Sequence, residues 1–210
     1  MPIRFDTAGF ELVVAAGSDT PTSAVERGAT TDSVSELGVA AGLVAAAGFT
    51  GAVGQVLMAA EGDQVVVGLG LGDADPTAAS VRSRAAAMYR AAAKLDSVSS
   101  AMVVESAGAI GAETALQAAI EGVLQASYRY DELKGDPADA DALTRVVFQI
   151  PDGIDAAAVV ARASAISAGV ALARDLVNKP GGTLRAVDLA AAASEAASAS
   201  GAEIEIWDLE

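Results

Sequence analysis

Cysteine and histidine are both absent from the 210 residues. Their absence removes disulfides, thiolate nucleophiles, imidazole bases and the commonest zinc ligands. Neither a Ser-His-Asp triad nor a Cys-His pair can be assembled. Any chemistry within the chain falls to carboxylates, lysine, tyrosine, hydroxyls or backbone groups. Lack of cysteine also fits a reducing compartment. Aromatic residues are only 4% of the total, against 52% hydrophobic residues overall, so a core must be built mainly from Ala, Val, Leu and Ile. Positive charge is scarce as well: 13 Lys and Arg face 28 Asp and Glu, for a formal charge of −15. Nucleic-acid affinity comes from basic groups neutralising phosphates, so no nucleic-acid partner is expected. An anionic membrane surface would repel the chain for the same reason, and solubility is the plainer meaning of the charge. No segment approaches the roughly 20 unbroken apolar residues of a membrane span. Arg4 and Asp6 near Met1, with no long apolar run behind them, speak against a secretory signal. A soluble globular protein, long enough for a real core, is the expectation.

What is present alternates between strand and helix patterns. Phe10–Ala16 is an apolar run closed by Gly17-Ser18-Asp19, which predicts a buried strand and a turn. Residues 18–34, rich in Ser, Thr, Asp and Gly, predict a loop or edge region, and 36–47 an Ala-rich helix weakened by Gly38 and Gly42. Residues 55–60 and 65–69 read as a hairpin joined through Glu61-Gly62-Asp63-Gln64. Gly68-Leu69-Gly70-Leu71-Gly72 ends its second strand, and Asp75 at the N-cap with Pro76 behind it opens a helix to about Leu95. A strand at 101–104, a helix at 113–128, an acidic loop at 131–141, a strand at 143–150 and a long helix at 154–178 follow. Next come Pro180-Gly181-Gly182, a helix at 183–200, Gly201 at its C′ position, and a period-two strand at 203–207. This order predicts an α/β fold, a mixed sheet flanked by helices.

Four groups of residues invite a functional reading. The glycines of 68–72 lie at a strand end before a helix, which is where backbone amides can cradle an anion. Asp73 and Asp75 compete for that helix start, and neither P-loop nor GxGxxG spacing is present, which favours a tight turn. Asp131, Glu132, Asp136, Asp139 and Asp141 are clustered without the spacing of a calcium loop and read as a solvated face. Tyr128, Arg129, Tyr130 and Lys134 make a poor base-stacking footprint in so acidic a chain and read as helix-end packing. Arg174, Asp175 and Asn178 are polar residues near the end of an apolar helix. They serve either helix capping or a polar network between domains or subunits.

Several of these segments, in order, resemble the cytosol (leucyl) aminopeptidase family. Ala173-Arg174-Asp175-Leu176-Val177-Asn178-Lys179-Pro180 resembles that family's ARDLVN-x-P segment at the entrance to its catalytic domain. Gly48–Gln55, Val67–Gly70 and Glu121-Gly122 leading to Tyr128–Asp131 resemble its Gly-rich hairpin, GLG strand end and EG-x-x-L-x-x-Y helix. The chain has Ala186 where the family usually has Pro. The resemblance implies a macro-domain-like N-terminal α/β domain over residues 1–165. Residues 166–210 are then a linker helix and the truncated start of a catalytic domain. It implies a cytoplasmic metalloaminopeptidase that uses two divalent metals (zinc, manganese or magnesium) to release N-terminal residues such as leucine. It further implies hexameric assembly, with Arg174, Asp175 and Asn178 as an inter-domain polar network. The family's catalytic and metal-binding residues have no matching positions here, so catalytic, cofactor and metal residues are none, and this chain alone is expected to be inactive. The competing expectation is a free-standing macro-domain-like module that binds a nucleotide diphosphate such as ADP-ribose.

Overall fold

The computed structural model describes residues 3–7, 10–16, 20–133 and 142–207. Among these residues seven strands form one sheet: β1 (Ile3–Thr7), β2 (Phe10–Ala16), β3 (Ala24–Ala29), β4 (Val56–Glu61), β5 (Gln64–Gly70), β6 (Ser97–Ser100) and β7 (Arg145–Ile150). Their order is β1-β2-β7-β6-β3-β5-β4. The five inner strands are mutually parallel, and β1 and β4 add antiparallel edges. Among the described residues six α-helices accompany them: α1 (Ala41–Ala46), α2 (Ala78–Ala92), α3 (Met102–Ile110), α4 (Ala112–Ser127), α5 (Ala156–Asn178) and α6 (Ala186–Ser200). The expected mixed sheet flanked by helices is therefore present.

The main core lies where α2, α3 and α4 meet the sheet. Leu12, Val14, Val67, Leu69, Val98, Val146 and Phe148 from the strands pack with Val81, Met88, Met102, Leu116 and Ile120 from the helices. Small residues let the helices come close: a Cβ added at Gly122 of α4 would lie 2.9 Å from the Ala85 Cβ and collide with the Arg82 carbonyl of α2. On the other face a smaller cluster joins Ala29, Leu37, Val44, Phe49, Leu57 and Ala59.

Several boundaries differ from expectation, each for a physical reason. Residues 24–29 are a central strand rather than loop. Composition concealed β3 because its polar members Glu26 and Arg27 are satisfied only by distant partners. The strand expected at 101–104 is β6, four residues earlier, and Met102 already begins α3. Every residue of β6 is buried although three are serines. Ser97 exchanges bonds with Ser23, with the Ser23 amide donating to Ser97 Oγ at 2.9 Å and the Ser97 amide to Ser23 Oγ at 2.9 Å. Ser99 Oγ lies 3.0 Å from Thr22 Oγ1. Buried hydroxyls are tolerated when paired in this way.

The hairpin turn is two residues, Gly62-Asp63, with Gly62 at φ 60°. Thr77, not Asp75, caps α2: its Oγ1 accepts from the Ser80 amide at 3.1 Å while Ser80 Oγ accepts from the Thr77 amide at 2.9 Å. This reciprocal box satisfies two amides and outcompetes a cap two residues earlier. The helix expected at 36–47 is a 3-10 turn at Val34–Leu37 followed by the short α1, broken at Gly38 with φ 72°. The acidic loop falls largely on 134–141, outside the described residues, as do Lys134, Asp136, Asp139 and Asp141.

The chain divides into two compact units, Met1–Ser167 and Ala168–Glu210. The first holds the sheet and the opening turns of α5, where Ala156, Val159, Val160 and Ala163 enter the main core. By length and apolar content α5 could cross a membrane, contrary to the sequence expectation, but this face of it is packed on protein. The second unit holds the rest of α5 and α6, which starts at Ala186 rather than Thr183. Gly201, at φ 72°, ends α6 as expected. Residues 203–207 have no strand partner and are not a strand.

Candidate functional site

The first unit carries a buried ionic cluster beside a cleft, both near the carboxyl ends of β3, β5 and β6. On β3, Glu26 points toward α2, and its side chain has no exposed surface. One carboxylate oxygen accepts from Arg84 Nε at 2.8 Å; the other accepts from Arg84 Nη2 at 3.1 Å and from Ser100 Oγ at 2.6 Å. Ser100 Oγ in turn accepts from the Met102 amide at 3.0 Å, which ties the start of α3 to the cluster. Arg84 Nη2 also meets Glu105 of α3 at 2.7 Å. Burial by itself would lower the Arg84 pKa; the attraction of Glu26 and Glu105 and their hydrogen bonds outweigh it and hold the pKa above the ordinary guanidinium value. The group is thus charged at every accessible pH. One cation faces two carboxylates, and three elements are pinned to one another.

The sequence did contain a signal for this cluster. Arg84 lies on the same helical face as Val81, Ala85 and Met88, all buried, and a charge on such a face needs a buried partner. A second pair works the same way between α2 and α4. Arg82 Nε donates to Glu121 at 2.8 Å, and Gln117 Nε2 donates to its other oxygen at 2.8 Å.

The cleft next to this cluster has a volume of about 530 Å³. One wall is the start of α2 (Pro76, Thr77, Ala79, Ser80, Ser83); the other is Val53-Gly54-Gln55 with Gly70-Leu71-Gly72. Its place follows from topology. In parallel α/β sheets the crevice outside the carboxyl ends of the strands, where successive connections leave in opposite directions, is the usual ligand site. Here the chain leaves β3 toward β5 and returns across it to β6.

An anion cradle needs amides that point at the ligand, and here they point elsewhere. The Gly70 amide donates to the Gln55 carbonyl at 2.9 Å, Leu71 to Ala29 at 2.9 Å and Gly72 to Gly51 at 2.8 Å. Asp73 accepts from the Thr31 amide and hydroxyl. Arg84, the one charged residue among the described residues lining the cleft, is already held by two carboxylates. Residues 68–70 are thus the extended end of β5 rather than a tight turn, and the nucleotide-diphosphate reading has no free donor set among these groups. Gln55 completes the loop by accepting from the Thr50 and Ala52 amides and donating to the Gly48 carbonyl.

The sequence-predicted polar residues lie in the second unit. Arg174 and Asn178 are exposed and Asp175 is half-buried on α5, and the Asp175 carbonyl accepts from the Lys179 amide at 3.1 Å. Asn178 is the last residue of α5 and Arg174 and Asp175 lie about one turn before it, far in sequence from the cleft. Around them the unit is apolar and open. Val177 is 84% exposed, Trp207 is 83% exposed, and Val187, Leu189, Ile204 and Ile206 are also exposed. No residue of α6 is buried. Among the described residues no three His, Cys, Asp or Glu side chains are grouped so as to hold a metal ion, so this donor set does not fit a two-metal site.

Residues 13–137 match the cytosol aminopeptidase family, N-terminal domain. The chain is 37% identical over 147 residues to a probable cytosol aminopeptidase of Rippkaea orientalis, covering 70% of this chain and 29% of that protein. A probable cytosol aminopeptidase of Chlorobium limicola is 34% identical over 101 residues, 43% of this chain and 20% of the relative. The chain thus spans less than a third of the length of these relatives. Among solved structures, the bottromycin maturation enzyme BotP, also solved in complex with Mn, superposes with a TM-score of 0.67 at 30% identity, covering 86% of this chain and 38% of BotP. A tomato leucine aminopeptidase mutant superposes with a TM-score of 0.77 at 18% identity, covering 95% of this chain and 44% of that one, a likeness of fold.

Proposed function

The chain belongs to the cytosol aminopeptidase family, whose N-terminal domain it carries, and from that premise we propose that it packages and orients the catalytic domain of a two-metal aminopeptidase. In this reading residues 1–165 are the non-catalytic domain, and 166–210 lead into the catalytic domain. The parent releases N-terminal amino acids, apolar ones such as leucine foremost, in the cytoplasm and as a hexamer. Zinc, manganese or magnesium would supply a polarised carbonyl and a metal-bound nucleophile there. In this reading the part of the described residues is assembly rather than chemistry.

The observation that carries the reading is the open apolar surface of the second unit. Residues 168–207 expose Leu172, Val177, Val187, Leu189, Ile204, Ile206 and Trp207 together with a helix that has no fully buried residue. Apolar surface of this extent calls for a covering partner, and a catalytic domain continuing from it is the partner that the family supplies. Arg174, Asp175 and Asn178 then form a polar network at that junction. Amide hydrogen exchange tests this directly. In the full-length parent, residues 186–207 should exchange much more slowly than in the 210-residue chain, and equal rates in the two would overturn the reading.

A further inference from the structure

We propose that the cleft between the start of α2 and the 53–55 and 70–72 segments binds a small uncharged molecule with an apolar body. At about 530 Å³ the cleft is within the range of small-molecule sites, roughly 300–1,000 Å³. It lies at the carboxyl ends of parallel strands, where α/β sheets place ligands. The amides of Gly70, Leu71 and Gly72 are each bonded to a carbonyl, so they cannot hold an anion. The lining guanidinium, Arg84, is neutralised by Glu26 and Glu105, and the excess carboxylate makes the local field negative. A phosphate would meet that negative field and find the strand-end amides already bonded. A cation would find no carboxylate among the described lining residues.

The remaining lining is Val53, Leu69, Leu71, Ala79, Val81 and Ala87, with the hydroxyls of Thr30, Ser83 and Ser106 interspersed. Apolar walls with a few hydroxyls recognise a neutral ligand through burial of its body, with polar groups fixing its orientation. Val53 is 78% exposed at the lip, where a ligand would cover it. Both rims are held by internal hydrogen bonds. The Gln55 side chain closes the 48–55 loop on itself, and Thr77 and Ser80 lock the helix start.

Binding of the neutral dye Nile red to the 210-residue chain, followed by fluorescence, tests the site. Ala79→Trp and Ser83→Trp place an indole in the cleft from exposed positions of α2. Each is expected to weaken dye binding about tenfold or more with the melting midpoint unchanged. Val177→Ser, which removes apolar surface from the second unit, should leave binding as it was. ADP-ribose should neither bind nor displace the dye. The proposal is overturned if the dye does not bind, if Val177→Ser abolishes binding while the cleft variants do not, or if ADP-ribose competes.

Discussion

Replacing Arg84 by Met would leave the Glu26 carboxylate buried with the Ser100 hydroxyl as its remaining side-chain donor. Breaking one side of such a pair costs about 3–5 kcal/mol, because the partner charge is stranded rather than because the pair itself is worth that much. The double variant Glu26→Leu with Arg84→Met should therefore be much less destabilised than Arg84→Met alone. Urea unfolding of the three proteins checks this, and a double variant worse than the single one would contradict it. The second residue-scale prediction concerns Asp175. In the full-length parent, Asp175→Ala should weaken assembly or lower the melting midpoint more than it changes metal affinity. A sharp loss of metal affinity with unchanged oligomer mass and melting would place the residue in the metal site instead. The polar triad at 174–178 was visible in the sequence because it interrupts an apolar helix. The Glu26–Arg84–Glu105 cluster was not named there, since its members come from three separated segments.

At the level of elements, Gly122 sets how closely α4 approaches α2. Gly122→Val adds atoms where a Cβ would already press on Ala85 and the Arg82 carbonyl. Overpacking of this kind costs about 1–3 kcal/mol, and denaturant titration should show it. Glu121-Gly122 was legible in the sequence as part of a family-like motif, but its reason is tertiary. The glycine admits the neighbouring helix, and the glutamate bonds Arg82 on it. At α6 the Asp188 carboxylate accepts from the Arg185 guanidinium and amide, and these bonds hold its pKa below the ordinary value. A carboxylate depressed in the folded state stabilises above its unfolded pKa and loses that contribution as pH falls through the folded pKa. The first turn of α6 should accordingly fray in acid, below the normal carboxylate range. Amide chemical shifts of residues 185–189 report it, and Asp188→Asn should show the frayed shifts already at neutral pH.

For the whole molecule, the prediction is functional silence of the isolated chain. The 210 residues mixed with a leucyl chromogenic substrate and Mn²⁺ or Zn²⁺ should give no turnover, and clear turnover would overturn the assignment of chemistry to a separate domain. The full-length parent should turn over and run as a hexamer in sedimentation. The sheet class was readable because strand and helix periods alternate clearly from residue 55 onward. The central strands β3 and β6 were harder to read. Their Glu, Arg and Ser content mimics a loop, and only pairing across 74 residues, as between Ser23 and Ser97, makes that polarity compatible with burial.

The sequence by itself determined the class of fold, the family, and the exclusion of thiol and imidazole chemistry, because composition, periodicity and short motifs are local properties. Only the tertiary structure decided what the Gly-rich strand end can do. Its three amides reach the carbonyls of Ala29, Gly51 and Gln55, segments brought together by the β3-β5-β4 order of the sheet. A hydrogen-bond donor is free or engaged according to what lies opposite it in space, and no reading of neighbouring residues fixes that.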